Sequence, residues 1–144
     1  MPAGFQYELR VRYADIDKMG IVYHSRYLEW FEAARTELLR TKGMTYLEME
    51  KQGYSLPVIE AHCEYKLPVY YDDLIAIQTN LTDVSRIKIR LDYHVLCKKD
   101  QLVKVKGYTI HCFMDKEGRP VRAPKELFKI FCQIVNQKEQ KNAE

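Results

Sequence analysis

Acidic, imidazole and phenol side chains are concentrated between positions 13 and 27. This segment holds Asp15, Asp17, Gly20, His24 and three tyrosines, and it precedes a run of residues with helical spacing. The N-terminus of a helix offers free N–H groups and a partial positive charge. Such N–H groups can polarise a carbonyl while a nearby carboxylate attacks it or activates water. These residue types therefore suit acyl transfer.

The flanking patterns predict the elements that position this segment. Apolar residues alternate with polar ones from Phe5 to Tyr13, which predicts a strand. Ser25 is the predicted N-cap of a buried helix, and Gly43 is predicted to end it. The apolar residues of this helix recur at helical spacing: Tyr27, Trp30, Phe31, Ala34 and Leu38.

The rest of the chain predicts a short helix, four strands and a closing helix. The short helix covers residues 46–52, and the strands cover 59–67, 75–81, 87–97 and 103–114. In the last strand the apolar phase changes at Gly107, which predicts a β-bulge there. Pro124 fits the first turn of the closing helix.

Short connections between the strands predict an antiparallel sheet, because parallel strands need long crossovers. Each strand has one apolar face, and the first helix is the natural cover for these faces. The predicted fold class is α+β, an antiparallel sheet wrapped around a long central helix. We expect a single domain over residues 1–136, followed by a polar tail over residues 137–144.

Composition argues against several classes of protein. The net charge of +3 is too small to indicate a nucleic-acid-binding protein. No apolar run reaches the ~20 residues of a membrane span, and the N-terminus lacks the pattern of a signal peptide. Four cysteines without metal-site spacing predict reduced, buried thiols in a cytoplasmic protein and no metal.

Two segments together resemble a known family. These are Arg12-Tyr13-Ala14-Asp15-Ile16-Asp17-Lys18-Met19-Gly20-Ile21-Val22-Tyr23-His24 with Tyr27, and Phe31-Glu32-Ala33-Ala34-Arg35. Weaker matches are Tyr65, Pro68 and Tyr71-Asp72-Asp73. The pattern is similar to that of hotdog-fold acyl-CoA thioesterases of the 4-hydroxybenzoyl-CoA thioesterase-like family. It is closest to the bacterial branch found with the Tol-Pal system.

The resemblance implies a hotdog fold and hydrolysis of a small acyl-CoA without a cofactor. It implies that Asp17 acts on the thioester as a nucleophile or as a general base, with Tyr13 nearby. The backbone N–H of His24 would polarise the carbonyl, and its side chain would assist water activation. Gly20, Val22 and Tyr27 would contact the substrate. The resemblance also implies a site between subunits, and hence a homodimer or homotetramer.

Other acidic residues and histidines are alternative candidates for these roles. Asp17 could be only a turn residue, and Asp15 is the second candidate acid, although a hydrogen bond to backbone is its favoured role. Glu29 and Glu32 lie on the first helix, where an ion pair of Glu32 with Arg35 or an interaction with the helix dipole is favoured. The remaining histidines, His62, His94 and His111, are interpreted as structural.

Basic side chains alternate on the polar face of one predicted strand at Arg86, Lys88 and Arg90. Such charges usually form a solvated face, but coenzyme A carries phosphates, and charged donors bind phosphate well. We expect at least one of the three to contact the substrate.

Two other functions stay open on the sequence alone. Fold does not fix function, so the same fold could hydrate an enoyl thioester or bind acyl-CoA without catalysis. The identity of the acyl group depends on pocket side chains that the sequence does not place.

Overall fold

The computed structural model describes residues 4–143, with side chains for residues 4–135. Its strands are β1 Phe5–Arg10, β2 Val58–Tyr65, β3 Leu74–Val84, β4 Lys88–Cys97 and β5 Val103–Cys112. Its α-helices are α1 Arg26–Thr41, α2 Tyr46–Lys51 and α3 Lys125–Ala143, and a 3-10 turn covers Tyr13–Asp15. The predicted order of elements is confirmed, and their ends differ from the prediction by a few residues.

The strands form one sheet in the order β1-β3-β4-β5-β2, and every neighbouring pair is antiparallel. This confirms the expected α+β architecture. The strands β1 and β2 are the two edges. The edge strand β2 is exposed along most of its length, whereas β3 and β4 are largely buried.

Helix α1 lies against the inner face of the sheet. The ring of Phe31 stacks on that of Tyr93, with ring centroids 4.2 Å apart and planes 7° from parallel. A Cβ atom at Gly107 would come within 2.6 Å of the Phe31 ring and of the His62 carbonyl oxygen. Gly107 is therefore required for the close contact between helix and sheet.

The bulge predicted at Gly107 is wrong. The pairing of β5 with β4 is regular through Gly107, and its register shifts instead between Val103 and Val105. Consequently Thr109 and His111 point into the core with Gly107, and both are about 99 to 100% buried. Apolar residues at 108, 110 and 112 had suggested the opposite face, and glycine has no side chain to indicate a direction.

The inward polar residues of β5 form a buried hydrogen-bonded chain. The His111 ring contacts the Leu56 carbonyl oxygen through Nδ1 (3.0 Å) and Thr109 Oγ1 through Nε2 (2.9 Å). The Tyr93 hydroxyl lies 2.7 Å from Thr109 Oγ1. Because a carbonyl can only accept, Nδ1 carries the proton of a neutral ring and Nε2 accepts from Thr109. Tyr93 then donates to Thr109. With a neutral His111, each side chain in this hydrogen-bonded chain therefore has a partner.

We expect this chain to make stability depend on pH. Burial, helped by the charge of Arg35, lowers the pKa of His111 from 6.5 to about 4. The unfolded chain therefore binds more protons between these values, and the free energy of unfolding falls as the pH drops below about 6.5. Between pH 7 and pH 5 the loss should be about 2 kcal/mol. Urea unfolding at both pH values measures it.

The variant His111→Gln cannot titrate and should lose this part of the pH dependence. The matched control is His62→Gln, because the His62 side chain is about half exposed. His62→Gln should behave like the wild type. Equal pH dependence in the wild type and in His111→Gln would show that His111 does not control acid stability.

The cysteines and the C-terminal segment differ in part from the predictions made for them. All four cysteines are free, as predicted, but Cys63, Cys112 and Cys132 are only partly buried and Cys97 alone among them is buried. The segment predicted as a polar tail is helical as far as Ala143. The described helices include none that is long and apolar enough to cross a bilayer.

Candidate active site

The loop between β1 and α1 forms a tight turn that begins at Asp17. The Asp17 N–H donates to the Ile21 carbonyl (2.9 Å), and the Gly20 N–H donates to the Asp17 carbonyl (3.0 Å). Gly20 has a φ of +81°, which explains the glycine, because other residues rarely adopt this conformation. The turn brings the Asp17 carboxylate to the side of the loop that faces the start of α1.

One carboxylate oxygen of Asp17 stabilises this turn. Asp17 Oδ1 accepts a hydrogen bond from the Met19 N–H at 2.8 Å. The segment Asp115–Arg119 forms the same turn, with Asp115 Oδ1 accepting from the Glu117 N–H at 3.0 Å. The local geometry of Asp17 is therefore that of an ordinary turn aspartate. Its surroundings distinguish it, because Asp17 lines a cavity and Asp115 lines neither described cavity.

Asp15 forms a hydrogen bond to backbone, which is the role that the sequence analysis favoured for it. Its side chain is 2% exposed, and its Oδ2 accepts from the Arg12 N–H at 2.8 Å. Its Oδ1 lies 3.6 Å from an Arg12 nitrogen and 3.9 Å from Arg26 Nε. Asp15 braces the loop against the helix and is not among the residues that line the cavity.

The start of α1 offers unpaired donors. Ser25 occupies the N-cap position, as predicted, but its side chain makes no capping hydrogen bond. Within residues 4–143, no backbone carbonyl outside the helix accepts from the N–H of His24 or Ser25. These N–H groups stand at the positive end of the helix dipole, so they can bind a carbonyl oxygen that gains negative charge.

A cavity of about 410 Å³ joins the loop, the head of the helix and the end of β2. Its walls are mainly apolar, with charged groups only at Asp17 and Lys66. The lining residues are Asp17, Met19, Ile21, Val22, His24, Tyr27, Tyr65, Lys66, Leu67 and Pro68. An apolar cavity with a few convergent polar groups is typical of a small-molecule site.

Aromatic rings surround the His24 side chain. The ring centroid of Tyr23 lies 4.2 Å from that of His24. The ring centroid of Tyr65 lies 6.4 Å from that of His24, in an edge-to-face arrangement. Tyr27 is buried and packs against Tyr65 and Trp30 at ring distances of 5.6 and 5.0 Å. Burial raises the pKa of Tyr27, so its hydroxyl stays protonated and neutral.

The structure brings together most, but not all, of the predicted site residues. Asp17, Val22, His24 and Tyr27 line the cavity, and Gly20 shapes the loop. Tyr13 does not line it: this side chain is 75% exposed and packs edge-to-face against Tyr71. Within this chain, therefore, Tyr13 is not part of the cavity.

The predicted basic residues lie far from the cavity. Arg86 donates two hydrogen bonds to the Ala123 carbonyl, at 3.1 and 2.9 Å, and Arg90 forms a paired contact with Asp92. Register places Lys88 opposite Cys112, at the Val58 end of the sheet, whereas the cavity adjoins Tyr65. The seven residue steps from Val58 to Tyr65 span roughly 23 Å along the strand, and this is about the distance of Lys88 from the cavity along the sheet.

The glutamates of α1 do not enter the site. Glu29 lies in the first turn and pairs with Arg26 at 2.9 Å. The ion pair with Arg35, one of the two roles favoured for Glu32, does not form among the described side chains. Arg35 is instead buried beside the hydroxyls of Tyr93 and Tyr46, because its side chain points toward the sheet and α2.

Sequence reasoning missed the second wall of the cavity. Lys66 and Leu67, together with Met19 and Ile21 of the loop, were not predicted as site residues. Tyr65 and Pro68 were noted only for their family resemblance. Strand alternation could not place them, because β2 meets the head of α1 through contacts between residues some forty positions apart.

Among the described side chains, no group of three potential ligands could hold a metal ion.

Comparison with known proteins gives consistent matches over nearly the whole chain. The sequence profile of the thioesterase-like superfamily matches residues 11–141. The acyl-CoA thioesterase YbgC of Haemophilus influenzae is 34% identical over 125 residues, which cover 86% of this chain and 91% of the relative.

Solved structures show the same fold. A hypothetical protein of Aquifex aeolicus has a TM-score of 0.83 and 37% identity, covering 88% of this chain and 98% of its own. The DHNA-CoA thioesterase of Staphylococcus aureus has a TM-score of 0.87 and 27% identity, covering 94% of this chain and 93% of its own. These neighbours confirm the predicted hotdog fold.

Proposed function

This chain belongs to the thioesterase-like superfamily, and we propose that it hydrolyses the thioester bond of a small acyl-CoA, releasing a free acid and coenzyme A. One observation carries the proposal beyond the family. Asp17 and His24 line the same apolar cavity, and the His24 N–H at the head of α1 has no backbone acceptor among the described residues. This combination can polarise a carbonyl and deliver a nucleophile to it.

The proposed reaction starts with the thioester carbonyl oxygen at the helix head. The N–H of His24 donates to this oxygen and stabilises the negative charge that develops there. Asp17 either takes a proton from an attacking water or attacks the carbonyl carbon itself. In both routes the C–S bond breaks, the thiolate of coenzyme A takes up a proton, and water supplies the second oxygen of the acid.

In the second route an acyl–Asp17 anhydride forms first and water then hydrolyses it. Asp17 Oδ1 is held by the Met19 N–H, and within the described part of the chain no hydrogen bond or ion pair engages Oδ2. Oδ2 is therefore the oxygen that we assign to chemistry. The His24 ring, held between aromatic neighbours, assists water handling.

The test of the proposal is thiol release from a panel of acyl-CoAs that vary in chain length and aromaticity. A colorimetric thiol reagent follows the reaction, and enoyl-CoA hydration is measured beside it. Hydrolysis of at least one member supports the proposal. Hydration without thiol release would favour an enoyl-thioester hydratase, and binding without either reaction would indicate a non-catalytic acyl-CoA-binding protein.

We further propose that the active form is a homodimer that pairs through β2. The strand is an open edge with an exposed apolar surface: Ile59 is 50% exposed, Tyr65 52% and the adjoining Leu67 43%. An open strand edge invites pairing with another chain. A second copy added antiparallel to β2 would cover this face and the mouth of the cavity.

Disruption of this surface should separate the subunits and lower activity. We expect Ile59→Arg to fold, because the side chain is half exposed, but to bury an unpaired charge on pairing. Light scattering should show a monomer. The thiol-release assay should show that its kcat/KM is at least tenfold lower than that of the wild type. The matched control is Leu102→Arg, which is 51% exposed in the turn between β4 and β5 and should stay paired and active. A fully active monomer would contradict a site between subunits.

Antiparallel pairing also bears on the basic residues. It would bring the Val58 end of a second copy next to the Tyr65 end of the first, and with it the outer face of the sheet that carries Lys88 and Arg90 of that copy. We therefore propose that the phosphates of coenzyme A are bound by Lys88 or Arg90 from the other subunit. Arg86 is the weakest of the three candidates, because the Ala123 carbonyl engages its guanidinium.

Tyr13 is proposed to approach Asp17 only in the assembled enzyme. Association of dimers into a homotetramer and a cytoplasmic location are also part of the proposal. Free thiols are typical of a reducing compartment.

A further inference from the structure

Tyr65 connects the end of the edge strand β2 to the head of α1. Its hydroxyl donates a hydrogen bond to the His24 carbonyl oxygen at 3.2 Å, across a separation of 41 residues. Its ring also lines the cavity, 5.6 Å from the ring of Tyr27. Tyr65 therefore contacts both the substrate space and the backbone that borders it.

The residues on either side of His24 are held by backbone bonds, because the Arg26 N–H donates to the Tyr23 carbonyl (3.0 Å) and the Tyr23 N–H donates to the Asp15 carbonyl (2.9 Å). His24 and Ser25 themselves have fewer restraints. The side chain of Ser25 makes no capping bond, and the N–H groups of His24 and Ser25 have no backbone acceptor outside the helix among the described residues. The His24 carbonyl and the Ser25 N–H belong to one planar peptide unit. A bond to that carbonyl oxygen restricts the rotation of this unit and so limits the movement of His24, whose own N–H belongs to the preceding peptide unit.

The hydroxyl of Tyr65 can only act as a donor toward this carbonyl. Burial, with the nearby Cys63, raises the pKa of Tyr65 to about 12. The hydroxyl therefore keeps its proton throughout the neutral range and can donate to the His24 carbonyl there.

We propose that Tyr65 is a positioning residue of the thioesterase reaction: its bond to the His24 carbonyl holds this residue at the head of α1, so that the unpaired His24 N–H faces the thioester carbonyl. The inference rests on the proposed function and adds a residue from outside the loop and helix. Donors stabilise a developing charge only when they are held in place before the reaction. Tyr65 supplies that hold from the opposite side of the cavity.

The variant Tyr65→Phe removes the hydroxyl and keeps the ring. We expect kcat to fall about tenfold, less than the roughly 10²-fold loss on deleting a donor, because the N–H groups remain but are less well oriented. KM should stay within about twofold, since the ring still lines the cavity. The matched control is Tyr70→Phe, because Tyr70 is also 52% exposed and lies outside the cavity lining.

A spectroscopic measurement separates positioning from a general structural effect. Benzoyl-CoA or hexanoyl-CoA, whichever the wild type hydrolyses faster, is labelled with carbon-13 at the carbonyl and bound to Asp17→Asn. Infrared spectra should show the carbonyl stretch at lower frequency than in free substrate. The shift should be smaller when Tyr65→Phe is added, and unchanged when Tyr70→Phe is added.

Each outcome has a defined meaning. A Tyr65→Phe enzyme with wild-type kcat and an unchanged carbonyl shift would overturn the inference while the thioesterase proposal stands. A rise in KM alone would reduce Tyr65 to a wall of the pocket and would also overturn it. Absence of hydrolysis by the wild type across the panel would remove the proposed function, and this inference would fall with it.

Discussion

The variant Asp17→Asn should fold normally and lose at least about 10²-fold in kcat, which is the usual worth of a positioned acid or base. Asparagine keeps the oxygen that accepts from the Met19 N–H, so the turn should survive. It cannot take a proton from water or attack a carbonyl. KM should change little, because the loss concerns the transition state. Thiol release and thermal unfolding, measured together, check both expectations.

The chain contains a matched control for the turn itself. Asp115 makes the same hydrogen bonds within the segment Asp115–Arg119, including Gly118, which has a φ of +79° where Gly20 has +81°. Asp115→Asn should therefore alter the turn to the same degree and leave activity intact. If Asp17→Asn retained activity within a few-fold of the wild type, the assignment would be wrong, and Asp15→Asn would be tested next.

The same enzyme preparation can separate the two roles of Asp17. If Asp17 is the nucleophile and breakdown of the anhydride is slow, thiol release should show a burst equal to the enzyme concentration before the steady rate. A general base gives no such burst. Rapid mixing with the thiol reagent resolves the difference for substrates that react fast enough.

Substitution of His24 should show a second large effect that depends on the backbone. We expect His24→Pro to lose at least about 10²-fold in kcat, because proline removes the N–H that is assigned to the carbonyl oxygen. His24→Ala keeps this donor and should lose less than Asp17→Asn does. Thiol release by the wild type and by both variants, measured on one substrate, gives this comparison.

Two controls protect this interpretation. Thermal unfolding and circular dichroism must show that His24→Pro keeps its helix, since proline also restricts the preceding residue, Tyr23. The pair of variants is then compared at one pH. An intact His24→Ala enzyme as inactive as Asp17→Asn would make the imidazole an essential base. A fully active His24→Pro enzyme would exclude the backbone donor.

Much of the fold could be predicted from local patterns. Strand alternation gave the position of each strand, and the residues between Ser25 and Gly43 gave the bounds of α1 to within a residue or two. These features depend on neighbours in sequence, because side chains alternate with period two in strands and 3.6 in helices. The loop with Asp17 and His24 was found for the same reason, as one short segment between two clear elements.

For the second half of β5, the sequence pattern predicted the wrong inner face. Thr109 and His111 are polar, yet they point into the core, where the hydroxyl of Tyr93 and the carbonyl of Leu56 satisfy them. Tyr108 and Ile110 are apolar, yet they lie on the outer face. A polar residue can be buried when distant partners complete its hydrogen bonds, and such partners are not visible in a local pattern.

The composition of the cavity was likewise decided by tertiary structure. Asp17 and His24 were identifiable from one segment, but Tyr65 and Lys66 join them only because β2 returns along the edge of the sheet to the head of α1. Arg86, Lys88 and Arg90 looked equivalent in sequence, and the structure separates them by their partners and their distance from the cavity. Local order determined which groups carry the chemistry, and strand order determined which groups surround it, because strand order rests on contacts between residues far apart in the chain.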